Sequence, residues 1–175
     1  MQYNPNALKR ITLERKLESK PEKVNTEPEI IIHKLGSQDL VLFKQLIEIF
    51  KDSFDGQSKK EIDEFSLNTM LRHTTFLGFV AIQDNEVIGG LTGYEIRSYY
   101  KDESEVFLYN LAVSRKHQGK GTAKLLMKTI LKFAKEKGHS KLYANTNING
   151  SNAVKFYRGT GGIEQQVSRF IYKLK

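Results

Sequence analysis

No cysteine occurs anywhere in the chain, which excludes disulfides, cysteine-based metal sites and thiol nucleophiles. Long apolar runs are missing as well, since no stretch reaches the roughly 18 residues that a membrane-spanning helix requires. The opening segment MQYNPNALKRITLERKLESK carries no apolar signal core, so a cytoplasmic location without a membrane partner is expected. Proline is scarce and confined to Pro5, Pro21 and Pro28. All three fall in a charge-alternating opening whose weak helical pattern spans Leu8 to Leu17, and residues 1–29 are expected to form an arm outside the core. Negative charge is in deficit, with 28 Lys and Arg against 20 Asp and Glu for a net charge of +8. That excess favours an anionic partner without naming it.

The 175 residues fit one domain with a sizeable core, free of internal repeats. From Glu29 the hydrophobic pattern sharpens. EIIIHKL predicts a strand, Asp39 to Phe50 a helix burying Leu42, Phe43, Leu46, Ile47 and Phe50, and Glu61 to Leu71 a second helix. FLGFVAIQ, a turn at Asp84 and Asn85, and EVIGGLTGYEIR predict a hairpin. Glu105 to Val113 follows as a strand. Gly121 to Lys137 is a helix whose buried face is Leu125, Leu126, Ile130, Phe133 and Ala134, with Gly138 to stop it. KLYANTN is a strand, Asn152 to Arg158 a short helix, and strand material ends in SRFIYKL, with a further strand near Ile163. The order is βααβββαβαβ.

The segment LYNLAVSRKHQGKG, running into TAKLLMKTILKFAKEKG, carries the most chemistry. An apolar run ends at Val113, a basic loop follows, and Gly119 and Gly121 bracket Lys120 where the helix begins. A helix N-terminus presents unpaired N–H groups and partial positive charge, and residues without Cβ let an anion approach the main chain. A sharp strand-to-helix turn would use the same glycines. Neither the P-loop spacing nor the dinucleotide spacing fits, because Thr-Ala-Lys follows Gly121.

YNLAVSRKHQGKGTAKLL resembles the acetyl-CoA motif of the GNAT superfamily of N-acetyltransferases: Gln or Arg, two residues, Gly, one residue, then Gly or Ala. Lys116, Gly119 and Gly121 take its three marked positions, with Lys116 a cationic departure at the first. SNAVKFY, from Ser151 to Tyr157, resembles the later motif, in which an Asn opens a helix and a Tyr lies five residues on. The resemblance covers residues 30–175 and implies an α+β GNAT domain: a mixed, mainly antiparallel sheet of six to seven strands with helices on both faces. It implies acetyl-CoA as co-substrate. The strand ending in Leu111, Ala112 and Val113 would splay from its neighbour and offer N–H groups to the pantetheine arm, while the diphosphate would rest on main-chain N–H groups of Gln118, Gly119, Lys120, Gly121 and Thr122. The side chains of Leu111 and Val113 are expected simply to pack.

Amide formation from a thioester requires a deprotonated amine, a stabilised oxyanion and a proton for the departing thiolate. Tyr157 coincides with the tyrosine that supplies that proton in this superfamily, and a phenol of ordinary pKa about 10 is protonated at neutral pH. A packed tyrosine is the alternative, and Tyr143 and Tyr109 are weaker versions of the same idea. Asn152 would either bridge to the cofactor or cap its helix. Glu105 is the candidate base, against a solvated glutamate beside Lys101, with Glu95 second. His33, His73, His117 and His139 read as loop or surface. No metal is called for.

EVIGGLTGYEIR followed by SEVFLYNLAV is most similar to the aminoglycoside 3-N-acetyltransferase group. That group usually has Asp where this chain has Asn110, and acidic residues where it has NTNINGSN. Both changes remove charge that would hold a polycation. Asp52, Asp55, Glu61, Asp63 and Glu64 lie in or beside the segment that covers the acceptor in this fold and are expected either to attract an amine or to remain solvated; Asn110, Asp55 and Glu95 are the candidate acceptor contacts. The expected acceptor is a small-molecule amine, an aminoglycoside first, with a polyamine or peptide N-terminus as alternatives. Lys120, Lys124, Lys128 and Lys132 recur every four residues; the first one or two are expected to reach CoA phosphates and the rest to form a solvated face. The same stripe motivates a basic nucleic-acid-binding module, which the shortage of arginine beside exposed aromatics disfavours. A homodimer is left open.

Overall fold

The computed structural model describes residues 29–54, 62–147 and 151–174. Residues 1–28 of the expected arm, with Asp55 and Glu61, lie outside the described residues. Among the described residues five strands, not the expected six to seven, form one sheet in chain order: β1 (Ile31–Lys34), β2 (Phe76–Gln83), β3 (Glu86–Arg97), β4 (Ser104–Val113) and β5 (Lys141–Ala144). All neighbours are antiparallel except β4 and β5, which run parallel. The helices are α1 (Leu40–Ser53), α2 (Glu64–Arg72), α3 (Thr122–Glu136) and α4 (Ser151–Gly159), with a 3-10 turn at Arg115–His117. The mixed, mainly antiparallel α+β architecture is therefore the expected one.

Burial explains why β2 is apolar at successive positions rather than at alternate ones. Leu77, Phe79 and Ala81 join the core beneath α3, with Leu126, Met127, Ile130 and Ala134, while Phe76 and Val80 join Phe43, Leu46, Leu67 and Leu71 beneath α1 and α2. Both faces of the sheet are covered, so both sets of side chains leave water. Close approach of α1 depends on Gly90, where a Cβ would lie 2.5 Å from the Phe79 carbonyl oxygen and 2.7 Å from Leu46 Cδ1. The β2–β3 turn is made by Asp84 and Asn85, with φ of 52° and 64°, the paired left-handed conformation a two-residue hairpin demands.

Two expectations about elements require correction. The segment expected to supply further strands, Ile163–Leu174, is irregular; its apolar side chains are exposed, from Ile163 at 91% to Leu174 at 92%. Apolar alternation there favours a strand, but no burial offsets the entropy of ordering it. In α3 the buried face is Leu126, Met127, Ile130 and Ala134, whereas Leu125 is 37% exposed. The helix axis is rotated so that Met127, not Leu125, completes the stripe.

Candidate active site

β4 outruns its parallel neighbour. β5 pairs with it only from Glu105 to Leu108, yet β4 continues through Val113, so its last five residues have β3 on one side and no strand ladder on the other among the described residues. An extended arm carrying amide groups fits such a split, because β4 retains unused backbone donors and acceptors there. Within it the Leu111 and Val113 side chains do pack against the main core.

The chain leaves β4 directly into the glycine loop. Gln118 Nε2 donates to the Val113 carbonyl at 3.0 Å, and Ser114 Oγ meets His117 Nδ1 at 2.8 Å, tying the loop to the strand end. Gly119 and Gly121 have φ of +78° and +87°, a left-handed conformation that side chains resist. A Cβ at either would meet nothing within 4 Å, so the space above this backbone is open. Gly121 is the N-cap of α3 and no side chain caps it. The first-turn N–H groups therefore face outward with the helix's positive end behind them. Thr122 is 2% exposed and its Oγ1 has no hydrogen-bond partner, a buried polar atom left waiting beside that open end. An absent Cβ, uncapped N–H groups and an orphaned hydroxyl all fit a bound diphosphate.

Tyr157, on α4, is half-buried, packs edge-on against Phe156 at 5.3 Å and borders the same core as Leu111. Burial pushes its phenol above the ordinary tyrosine pKa. It is thus a protonated donor at any physiological pH. α4 begins at Ser151, so Asn152 lies inside the first turn, exposed, rather than at the expected cap.

On the other side of β4, a cavity of about 230 Å³ opens between α1, α2, the start of β2, β3 and β4. Its walls include Phe43, Phe76, Thr92, Tyr94, Tyr109 and Asn110. Simple strand alternation would put the adjacent residues Tyr109 and Asn110 on opposite faces, but both line this cavity. The cause is an extra residue in β4: Thr92 pairs with Asn110 while Gly93 pairs with Leu108, leaving Tyr109 without a partner on β3. Tyr109 rings meet Tyr94 at 6.1 Å, and Tyr94 meets Phe76 at 5.8 Å. Burial, and then the neighbouring Tyr109, raise the Tyr94 phenol above its ordinary pKa.

None of the described carboxylates expected near the amine lines this cavity. Glu105 is ion-paired to Lys141 at 2.9 Å, five residues along β4 from Asn110, roughly 17 Å at strand rise. Glu95 follows cavity-lining Tyr94 and points to the opposite face, where its Oε1 lies 3.7 Å from His139 Nε2. Asp63 caps α2, accepting from the Ser66 N–H at 2.9 Å; Glu64 pairs with Lys44 at 2.7 Å. His139 corrects the surface reading of the histidines: its side chain is 4% exposed, with Nδ1 2.7 Å from Ser104 Oγ. Of the residues missed, Tyr94 was detectable, since it follows Thr92 at strand spacing and so shares its face. No described cluster of three or more metal-ligating side chains exists, and no described helix is long and apolar enough to cross a membrane.

A family model for the acetyltransferase (GNAT) family matches residues 43–161, spanning the split strand, the glycine loop and α4. The chain belongs to the GNAT acetyltransferase family. Among curated proteins it is 30% identical over 83 residues to N-acetyltransferase 8F1 of Rattus norvegicus, a match covering 47% of this chain and 38% of that protein. The chain thus spans well under two thirds of the length of these curated GNAT relatives. Among solved structures it is similar to an aminoglycoside acetyltransferase from an uncultured soil metagenomic sample, in complex with sisomicin. That match has a TM-score of 0.81 and 33% identity, covering 83% of this chain and 97% of the other. It shares its fold with the aminoglycoside N-acetyltransferase AAC(6')-Iy in complex with CoA, at a TM-score of 0.72, 18% identity, and coverage of 87% and 99%.

Proposed function

We propose that this GNAT protein moves the acetyl group of acetyl-CoA to a primary amine of a small molecule by direct attack in a ternary complex. The observation that carries the reading is the pair of left-handed glycines, with open space above them, at the uncapped start of α3 and one loop away from the unpaired end of β4. Acetyl-CoA supplies an acyl thioester. Main-chain N–H groups from Gln118 to Thr122 hold the diphosphate, and the Thr122 hydroxyl finds its missing partner there. Backbone N–H groups of Leu111 to Val113 orient the arm and polarise the carbonyl. The amine nitrogen bonds to the acyl carbon as the carbon–sulfur bond breaks; the amine releases its proton to water, and Tyr157 Oη protonates the leaving sulfur before recovering a proton from solvent.

The aminoglycoside acetyltransferase that is 33% identical supports a small amine as acceptor and makes an aminoglycoside the first one to try. Asn110 faces the acceptor cavity as a neutral amide, which argues for weak use of a polycation. Isothermal titration with acetyl-CoA, followed by thiol release against aminoglycosides, polyamines, monoamines and peptide N-termini, tests the reading. Binding together with thiol release that depends on an amine is the expected result; absence of acetyl-CoA binding would overturn it.

A further inference from the structure

The acceptor cavity is chemically the reverse of a polycation site. Five of its lining residues are aromatic, and among the described residues that line it there is no carboxylate. The single ionised group there is the cation Lys51, whose Nζ is 2.7 Å from Glu48 Oε1. The other polar residues of the lining, Thr92, Asn110, Tyr94 and Tyr109, carry neutral hydroxyl, amide and phenol groups. Each further ammonium brought into such a place would shed its hydration without a counter-charge among these residues. One amine, by contrast, is well served, because ring faces attract a cation and the amide oxygen accepts from N–H. Size points the same way. About 230 Å³ lies below the range of roughly 300–1,000 Å³ usual for drug-sized ligands, so a compact body fills it and a multi-ring polyamine does not.

Resting on the acetyl-transfer reading above, we infer that the acceptor is a compact monoamine with an aromatic or branched aliphatic body, and that Tyr109 and Tyr94 select it. The body packs against the contiguous row of rings formed by Phe76, Tyr94 and Tyr109 while Asn110 orients the amino group toward the unpaired end of β4.

Two measurements on the full chain test this. Thiol release from acetyl-CoA should give 2-phenylethylamine and isoamylamine at least about tenfold higher kcat/KM than spermidine or sisomicin, the scale on which a shaped apolar pocket discriminates. Saturation-transfer NMR without acetyl-CoA should show 2-phenylethylamine receiving magnetisation from the protein and losing it in Tyr109→Ala. Tyr109 is 60% exposed, so its removal spares the core. Equal or better use of spermidine or sisomicin would overturn the inference, as would 2-phenylethylamine contact unaffected by Tyr109→Ala. Absence of acetyl-CoA heat in calorimetry would instead remove the acetyl-transfer reading, and the NMR experiment would still decide what the cavity binds.

Discussion

The two halves of the site are built from different materials. On the proposed donor side, the end of β4 and the Gln118–Thr122 loop offer main-chain groups, and the loop is marked by residues that lack a side chain. On the proposed acceptor side, the cavity is a surface of side chains from α1, α2, β2, β3 and β4. A backbone site tolerates few changes but leaves a clear mark in sequence. A side-chain site can be rewritten one residue at a time, so the same family fold serves many amines.

The comparison is broken most forcefully on the donor side. Gly119→Val should lose acetyl-CoA binding beyond detection in calorimetry, since a β-branched residue resists φ of +78° and fills the open space, while circular dichroism remains native. Next in size is Tyr157→Phe, expected to cut turnover by about 10²-fold with little change in acetyl-CoA affinity. Because burial raises this phenol, the wild type should show no loss from deprotonation of Tyr157 until pH exceeds the ordinary tyrosine value of about 10. A pH–rate profile compares the two proteins directly.

Asn110→Asp sharpens the other half. It places a carboxylate in a lining that has none among the described residues, and should raise kcat/KM for spermidine or sisomicin about tenfold, the gain shrinking as salt rises. Its effect on acetyl-CoA binding should be negligible. The smallest change in activity is expected from Gly90→Ala, which strikes the wall shared by α1 and β2 and should cost about 1–3 kcal/mol of stability in a denaturant titration, without altering substrate preference.

What could be read from sequence divides along the same line. Periodicity disclosed every described strand and helix, and the glycines of the donor loop stood out because only a few backbone conformations require them. The β4 bulge did not, since an extra residue leaves no compositional mark and yet moves Tyr109 onto the face of Asn110. Glutamates proposed near the amine were placed by strand position alone. Their partners, Lys141 for Glu105 and His139 for Glu95, come from distant segments that only folding brings together. The C-terminal alternation at SRFIYKL misled for a related reason, because a strand pattern carries no information about whether a neighbour is there to pair with it.

The claim that the donor site is made of backbone is tested most directly by titrating acetyl-CoA into two single variants, Gly121→Val and Lys120→Ala, under the same salt. Lys120 is exposed and lies between the two left-handed glycines. Removing its charge should weaken binding by no more than about fivefold, the scale of one exposed ionic contact, whereas Gly121→Val should abolish it. Loss of binding in Lys120→Ala with affinity retained in a folded Gly121→Val would show that a side chain, and not the main chain, holds the cofactor.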